Sequence, residues 1–298
     1  MVVTHNLLVI YNPASGRMRI EKAWHAFMTE ASHDGYRCTP VNIQDAALGA
    51  IGDLSRFSAV VVIGGDGTLR TVVQFLYDRS ADLPIMLVPR GSANLIAKSL
   101  SLPRSVKKAL RVLRSGASLS VDIARLSNGT IFVGACAIGY LSHRVTSTPL
   151  LAKRLLGFAG YLWSFLLHRQ LPLYTFSFSA DGSSFVIQGH SLFIVNATNL
   201  FGVRSPRVAD FQDGIFELAV TTNTSWIASL ALLFDFYFRR SAPRHFMMVS
   251  GKRFSLRTEG IPALQVDGEV LPNVQRVDIE VLQKKQRFFT LKHHDSHQ

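Results

Sequence analysis

The chain has 298 residues, 48% hydrophobic and 17% charged, which excludes a disordered protein and allows two domains with cores of their own. Lys and Arg outnumber Asp and Glu by 32 to 20, and the resulting net charge of +12 draws the chain toward polyanions. The basic residues are spread along the sequence with no nucleic-acid-reading motif, so a nucleotide or an anionic membrane surface is the expected partner and nucleic acid is not. Cys38 and Cys136 lie far apart and form no metal-ligand spacing, and Met1 to Asn6 carry no positive charge. Both features read as a cytoplasmic protein with reduced thiols and no signal peptide.

Leu7 to Tyr11 is an apolar strand closed by a turn at Pro13 to Gly16. Ile20, Ala23, Trp24, Phe27, Met28 and Ala31 then recur at helical spacing, and Tyr36 to Ile43 reads as the next strand. Ala59 to Ile63 is wholly apolar, as a central strand covered on both faces must be. It runs into Gly64-Gly65-Asp66-Gly67-Thr68, and a helix follows with Leu69, Val72, Val73 and Leu76 on one face. Ile85 to Val88 repeats the theme, entering Pro89-Arg90-Gly91-Ser92-Ala93-Asn94 and another helix. Strand alternating with helix over the first part of the chain predicts a parallel α/β sheet.

After Asp122 the pattern changes. Tyr174 to Ser179 alternates with period two, and Asp181-Gly182 predicts a hairpin before Phe185 to Ile187. Further strands are expected at 190–196, 215–221, 253–257, 274–282 and 286–291, which makes the second half mostly β, a sandwich. Two apolar helical stretches, Leu155 to Leu167 and Trp226 to Phe238, fall short of the ~20 residues that a bilayer span needs. Lys153, Arg154, His168 and Arg169 flank the first, and Arg239, Arg240 and Arg244 follow the second, which suits contact with an anionic lipid surface without spanning it.

Three strand-to-helix turns, at 12–16, 64–68 and 91–94, bring small residues to one edge of one sheet. In open α/β sheets ligands bind at the carboxyl ends of the strands, where glycines let backbone N–H groups approach phosphate oxygens. Asp66 within such a turn needs a metal or donated hydrogen bonds to offset its charge.

These residues carry a resemblance. Asn12-Pro13-Ala14-Ser15-Gly16, Gly64 to Thr68 and Gly91 to Asn94 resemble the catalytic domain of the diacylglycerol kinase family, and more narrowly its soluble bacterial lipid kinases. The likeness continues through Val121 to Ala124, Phe132 to Gly139, Gly157 to Leu162, Ala209 to Leu218 and Val266-Asp267-Gly268-Glu269. It implies an α/β N-terminal domain like that of NAD kinases and diacylglycerol kinases, a β-sandwich C-terminal domain, and an active site in the cleft between them. The expected division is 1–123 for nucleotide binding and 124–298 for the lipid substrate.

The resemblance further implies a phosphotransferase that moves the γ-phosphoryl group of ATP to a lipid hydroxyl at a membrane surface. Asn12, Gly65, Asp66, Gly67, Thr68 and Ser92 would line the nucleotide phosphates. Mg2+ would be held by the Asp213 carboxylate and the backbone carbonyls of Asp210 and Ile215, apart from the Mg2+ that travels with ATP. Glu269 would take the hydroxyl proton, and Asp267 would orient it or help hold metal. A homodimer is left open. Arg70 and Thr71 stand where the family has Asn-Glu, which keeps open a relative that binds nucleotide and lipid without turnover. The glycine loop also fits an NAD kinase, but no paired Asn-Glu sequence that would bind its dinucleotide follows it.

Overall fold

The computed structural model describes residues 5–14, 18–45, 48–91, 94–140, 172–196, 211–222, 246–257, 264–271 and 276–290. The two apolar stretches at 155–167 and 226–238 lie outside these residues. The chain divides into two compact units, one formed by Met1–Ile123 with Gln283–Gln298 and the other by Ala124–Leu282.

In the first unit, β1 (Asn6–Tyr11), β2 (Arg37–Asn42), β3 (Ala59–Gly64) and β4 (Ile85–Pro89) form a parallel sheet in the order β2-β1-β3-β4. The apolar runs make this sheet because successive side chains alternate between its faces and both faces are covered. Leu7, Val9, Val61, Ile63, Met86 and Val88 pack against Ile20, Ala23 and Phe27 of α1 (Met18–His33) and Ala109, Leu110 and Leu113 of α4 (Val106–Ser115). The alternate residues Leu8, Ile10, Val60, Val62 and Leu87 are as fully buried. So are Leu69, Val72, Val73 and Leu76 of α2 (Asp66–Asp78), the apolar stripe expected of that helix. Two helices follow β4 where one was expected: α3 (Leu95–Ser99) and α4.

The second unit is a β-sandwich. One sheet joins β8 (Tyr174–Ala180), β9 (Ser183–Gly189), β13 (Arg253–Arg257) and the start of β16 (Arg276–Phe289), with β5 (Ser118–Leu126) and β6 (Ile131–Phe132) beside β16. The other runs β12 (Phe246–Gly251), β11 (Phe216–Thr221), β10 (Ser191–Val195), β7 (Ala135–Gly139), β14 (Leu264–Val266) and β15 (Glu269–Leu271). Their facing residues interdigitate in one core: Phe176, Phe178, Phe254, Leu256 and Ile279 from the first sheet, and Cys136, Ile194, Phe216, Leu218 and Val266 from the second.

Two expectations are corrected here. The strands predicted at 274–282 and 286–291 are one fourteen-residue strand, β16. The polar run Gln283-Lys284-Lys285 does not break it: Lys284 takes a left-handed φ of 50°, and its N–H donates to the buried carboxylate of Asp122. The residues beyond Leu282 belong to the first unit and not to a second domain running to the C-terminus, because Phe288 pairs in parallel with Ile85 of β4. Among the described residues, no helix is long and apolar enough to cross a membrane.

Candidate active site

The first unit gathers its three turns at the carboxyl edge of the sheet. Tyr11 pairs with Ile63 and Gly64 with Pro89, so β1, β3 and β4 end almost level and deliver Asn12, Gly65 and Gly91 side by side. The Asn12 side-chain amide donates to the Thr68 hydroxyl at 3.2 Å, which links the first turn to the second. Arg90 N–H donates to the Gly64 carbonyl at 2.7 Å, which links the second to the third.

Glycine is required at two of these positions by contact. A Cβ on Gly91 would stand 2.5 Å from the Gly65 Cα, and a Cβ on Gly65 would stand 2.9 Å from the Gly91 Cα. Backbone meets backbone there, and no side chain could be accommodated. Gly67 lies in the first turn of α2, and Thr68, only 4% exposed, turns its hydroxyl to Asn12.

Asp66 is half-buried at the start of α2, and its carboxylate accepts the Ile96 N–H at 3.4 Å. Burial raises its pKa, while the backbone N–H groups of Leu95, Ile96 and Asn94 and the charge of Lys98 act in the opposite sense. The donated hydrogen bonds that a carboxylate in this turn needs therefore come from the opening of α3. Asn94, which sequence reasoning passed over as a site residue, holds the third turn closed. It sits in the left-handed region at φ 49°, accepts from Gly91 N–H at 2.8 Å and donates to the Gly91 carbonyl at 2.6 Å. Asn tolerates that conformation better than most residues, which is the signal that could have marked it. Ser92 lies outside the described residues.

In the second unit, Asp267 and Gly268 join β14 to β15 with φ of 45° and 92°, so Val266 faces Glu269 across a two-residue turn. Both central residues at positive φ make the tight hairpin that Asp-Gly favours. The Asp267 carboxylate does not reach into solvent. Its oxygens accept Val133 N–H at 2.8 Å, Gly134 N–H at 2.9 Å and Ala135 N–H at 2.8 Å, and its own N–H returns to the Ala135 carbonyl at 2.8 Å. The side-chain amide of Asn196, another residue that sequence reasoning missed, donates to the Val133 carbonyl in the same loop at 3.1 Å. Glu269 stands exposed at the first position of β15.

The loop before β11 lies at the same end of that sheet. Across the strands Ser250 pairs with Glu217, Glu217 with Val195, and Val195 with Ala135, the residue that Asp267 clasps. Asp213 folds its carboxylate back onto Ile215 N–H at 2.9 Å, and Gly214 follows at φ 72°. Glu217, a third residue not foreseen, has one carboxylate oxygen, Oε2, buried without a hydrogen-bond partner. Burial and then the charge of Asp213 push its carboxyl up to about 7, its own backbone N–H offsetting part of the rise. Asp210 lies outside the described residues, and among those described no group of three or more His, Cys, Asp or Glu is gathered on one point.

Comparison with known proteins matches this arrangement. Residues 6–126 fit the family model described as the diacylglycerol kinase catalytic domain. Diacylglycerol kinases of Staphylococcus aureus strains RF122 and MRSA252 are 27% identical over 271 residues, covering 88% of this chain and 85% of theirs. A crystal structure of a Bacillus anthracis protein proposed to be a diacylglycerol kinase superposes with a TM-score of 0.77 at 18% identity, covering 97% of this chain and 99% of its own. A second, of a diacylglycerol kinase from the same organism, gives 0.69 at 15% identity, covering 97% and 98%. At those identities the structures speak for the fold alone. With its glycine turns, its sandwich and its Asp-Gly-Glu hairpin in the order that the resemblance implies, the chain is similar to the diacylglycerol kinases, and its residues 6–126 match their catalytic-domain model.

Proposed function

We propose that this protein is an ATP-dependent lipid kinase that transfers the γ-phosphoryl group to the hydroxyl of a lipid acceptor: diacylglycerol-like, phosphatidylglycerol-like or sphingoid. The observation that carries the reading is the contact of Gly65 with Gly91 beside the Asn12–Thr68 link, with the catalytic-domain match over residues 6–126 behind it. Two turns pressed backbone to backbone at the carboxyl edge of a parallel sheet leave their N–H groups free of Cβ atoms, the feature that cradling a phosphate requires. Phosphoryl transfer asks little covalent chemistry of a protein, so positioning and charge carry most of the catalysis. In this reading Gly65, Gly67 and Ser92 offer backbone and hydroxyl donors to the phosphates, while Asn12 and Thr68 fix the first two turns against each other. Asp66 serves by holding the Asn94–Ile96 segment in place.

Glu269 is the proposed acceptor of the hydroxyl proton. Asp267 acts on it through the backbone, its oxygens accepting three N–H groups of the facing loop. A base so placed contributes typically 10²–10⁴-fold. The family implies Mg2+, and the oxygen donors of the Asp213 loop fit it: a carboxylate, a backbone carbonyl at Ile215, and the orphaned Glu217 Oε2 nearby. Mg2+ takes about six oxygen ligands and keeps several waters, so few protein donors suffice. Bound there it would neutralise the acidic loop. The net charge of +12 supports peripheral attachment to an anionic membrane, which salt would weaken.

Radiolabelled ATP offered with diacylglycerol, monoacylglycerol, phosphatidylglycerol, ceramide and sphingosine in anionic vesicles tests the proposal. Label should enter one lipid class in a Mg2+-dependent manner. ATP binding without labelling of any lipid would overturn it in favour of a binding protein, the reading that Arg70 and Thr71 keep open. NADP formation from NAD would overturn it in favour of an NAD kinase.

A further inference from the structure

Glu217 occupies a place where a carboxylate is costly. It lies between Phe216 and Leu218, both fully buried in the sandwich core, and strand alternation turns its side chain to the opposite face of the same sheet. That face is not bare to solvent at its neighbours, since Val195 beside it is 5% exposed and Ala219 6%. Oε2 is shut away from water with no donor, and the nearest charge acting on the group is the negative one of Asp213. A buried polar atom left without a partner costs about 1–3 kcal/mol, and more when it is charged. The negative charge of Asp213 adds repulsion to that cost. Among the described residues, the one offset to the rise at Glu217 comes from its own N–H.

Protonation would remove the charge, but it would not give Oε2 a partner and would leave a buried O–H to satisfy. A divalent cation removes both costs at once, because it is drawn by both negative charges and gives Oε2 a partner. We infer that Glu217 is a further ligand, directly or through one water, of the Mg2+ read for the Asp213–Ile215 loop. The inference rests on that reading of the loop and adds to it a strand residue two positions beyond Ile215. A loop ligand alone can relax away, whereas a carboxylate fixed on β11 between Val195 and Ser250 holds the cation against the sheet. The cation then stabilises the end of the sheet that also carries the Asp267 clasp on Ala135.

The test uses the full chain without ATP or lipid, so that its readout is independent of turnover. MgCl2 is titrated calorimetrically into the wild type, Glu217→Gln, Glu217→Asp and Asp213→Asn, and thermal unfolding of each is followed with EDTA and with MgCl2. Wild type should bind Mg2+ and melt higher with it. Glu217→Gln should bind about 10–100-fold more weakly, the range that loss of a supporting ligand gives, while melting higher than wild type in EDTA because the carboxylate repulsion is gone. Glu217→Asp, which keeps the charge on a shorter arm, should fall between them. Unchanged Mg2+ affinity in Glu217→Gln alongside a loss in Asp213→Asn would overturn the inference and leave the loop reading standing. Absence of Mg2+ binding to the ATP-free wild type would overturn both, and lipid phosphorylation by that same preparation would show that the kinase reading survives them.

Discussion

Two hairpins of the second unit are built on the same dipeptide. Asp181-Gly182 joins β8 to β9 with φ of 46° and 88°, and Asp267-Gly268 joins β14 to β15 with 45° and 92°. In both, the Asp carboxylate reaches back to the backbone of a distant segment. Asp181 accepts Lys252 N–H at 3.0 Å and Arg253 N–H at 2.9 Å, and Asp267 accepts Val133, Gly134 and Ala135. The Asp in such a turn therefore needs no chemical role to explain it. What differs is the next residue, Ser183 in one hairpin and Glu269 in the other, and the burial of the clasp: Asp181 is exposed and Asp267 is half-buried. The comparison assigns the fold's interest to Asp267 and the chemical interest to Glu269.

The largest effect that tests this division is on rate. Glu269→Gln should lower lipid phosphorylation by about 10²–10⁴-fold, with ATP affinity and melting temperature held near wild type. A wild-type rate across pH would place the base elsewhere. The second test compares the clasps. Asp267→Asn should cost about 2–4 kcal/mol in denaturant unfolding, since three backbone donors lose a charged acceptor in a half-buried setting. Asp181→Asn, with two donors and an exposed carboxylate, should cost about 1 kcal/mol and leave turnover alone. Equal losses from the two would mean that burial does not distinguish them. Turnover in Asp267→Asn should fall through kcat more than through KM, because Glu269 is displaced and the phosphate turns are untouched.

A smaller effect is expected from the glycines. Gly182→Ala and Gly268→Ala each place a Cβ in open space but at positive φ, so each should cost about 1–2 kcal/mol of pure backbone strain. A much larger loss at Gly268 alone would reveal a packing role that the geometry does not contain. The smallest effect is the most pointed: Ser183→Glu writes Asp-Gly-Glu into the other hairpin. At that exposed position it should change stability by no more than about 0.5 kcal/mol and should restore no activity to Glu269→Gln. Rescue would show that the motif, and not its place in the fold, carries the chemistry.

Much of this could be read from the sequence because its causes are local. The all-apolar run Ala59 to Ile63 had to be a strand buried on both faces, and it is. The Asp181-Gly182 hairpin followed from the preference of that pair for two positive φ values. The 3.6-residue spacing of Leu69, Val72, Val73 and Leu76 set the buried stripe of α2. What escaped the sequence was each partner fixed by register between distant strands. Asp66 finds its donor 30 residues on, and Asp267 clasps a loop more than 130 residues back. The polar run at Gln283 to Lys285 hides the continuity of β16, since only the Asp122 carboxylate, buried in the folded unit, gives Lys284 N–H its acceptor. Glu217 reads in sequence as an ordinary polar position of an alternating strand. Its isolation arises only when the neighbouring strands bury it within reach of the charge of Asp213. Periodicity and turn chemistry act within a few residues and so are written in the chain. Hydrogen-bond partners and desolvation belong to atoms that meet only on folding, and tertiary structure alone decides them.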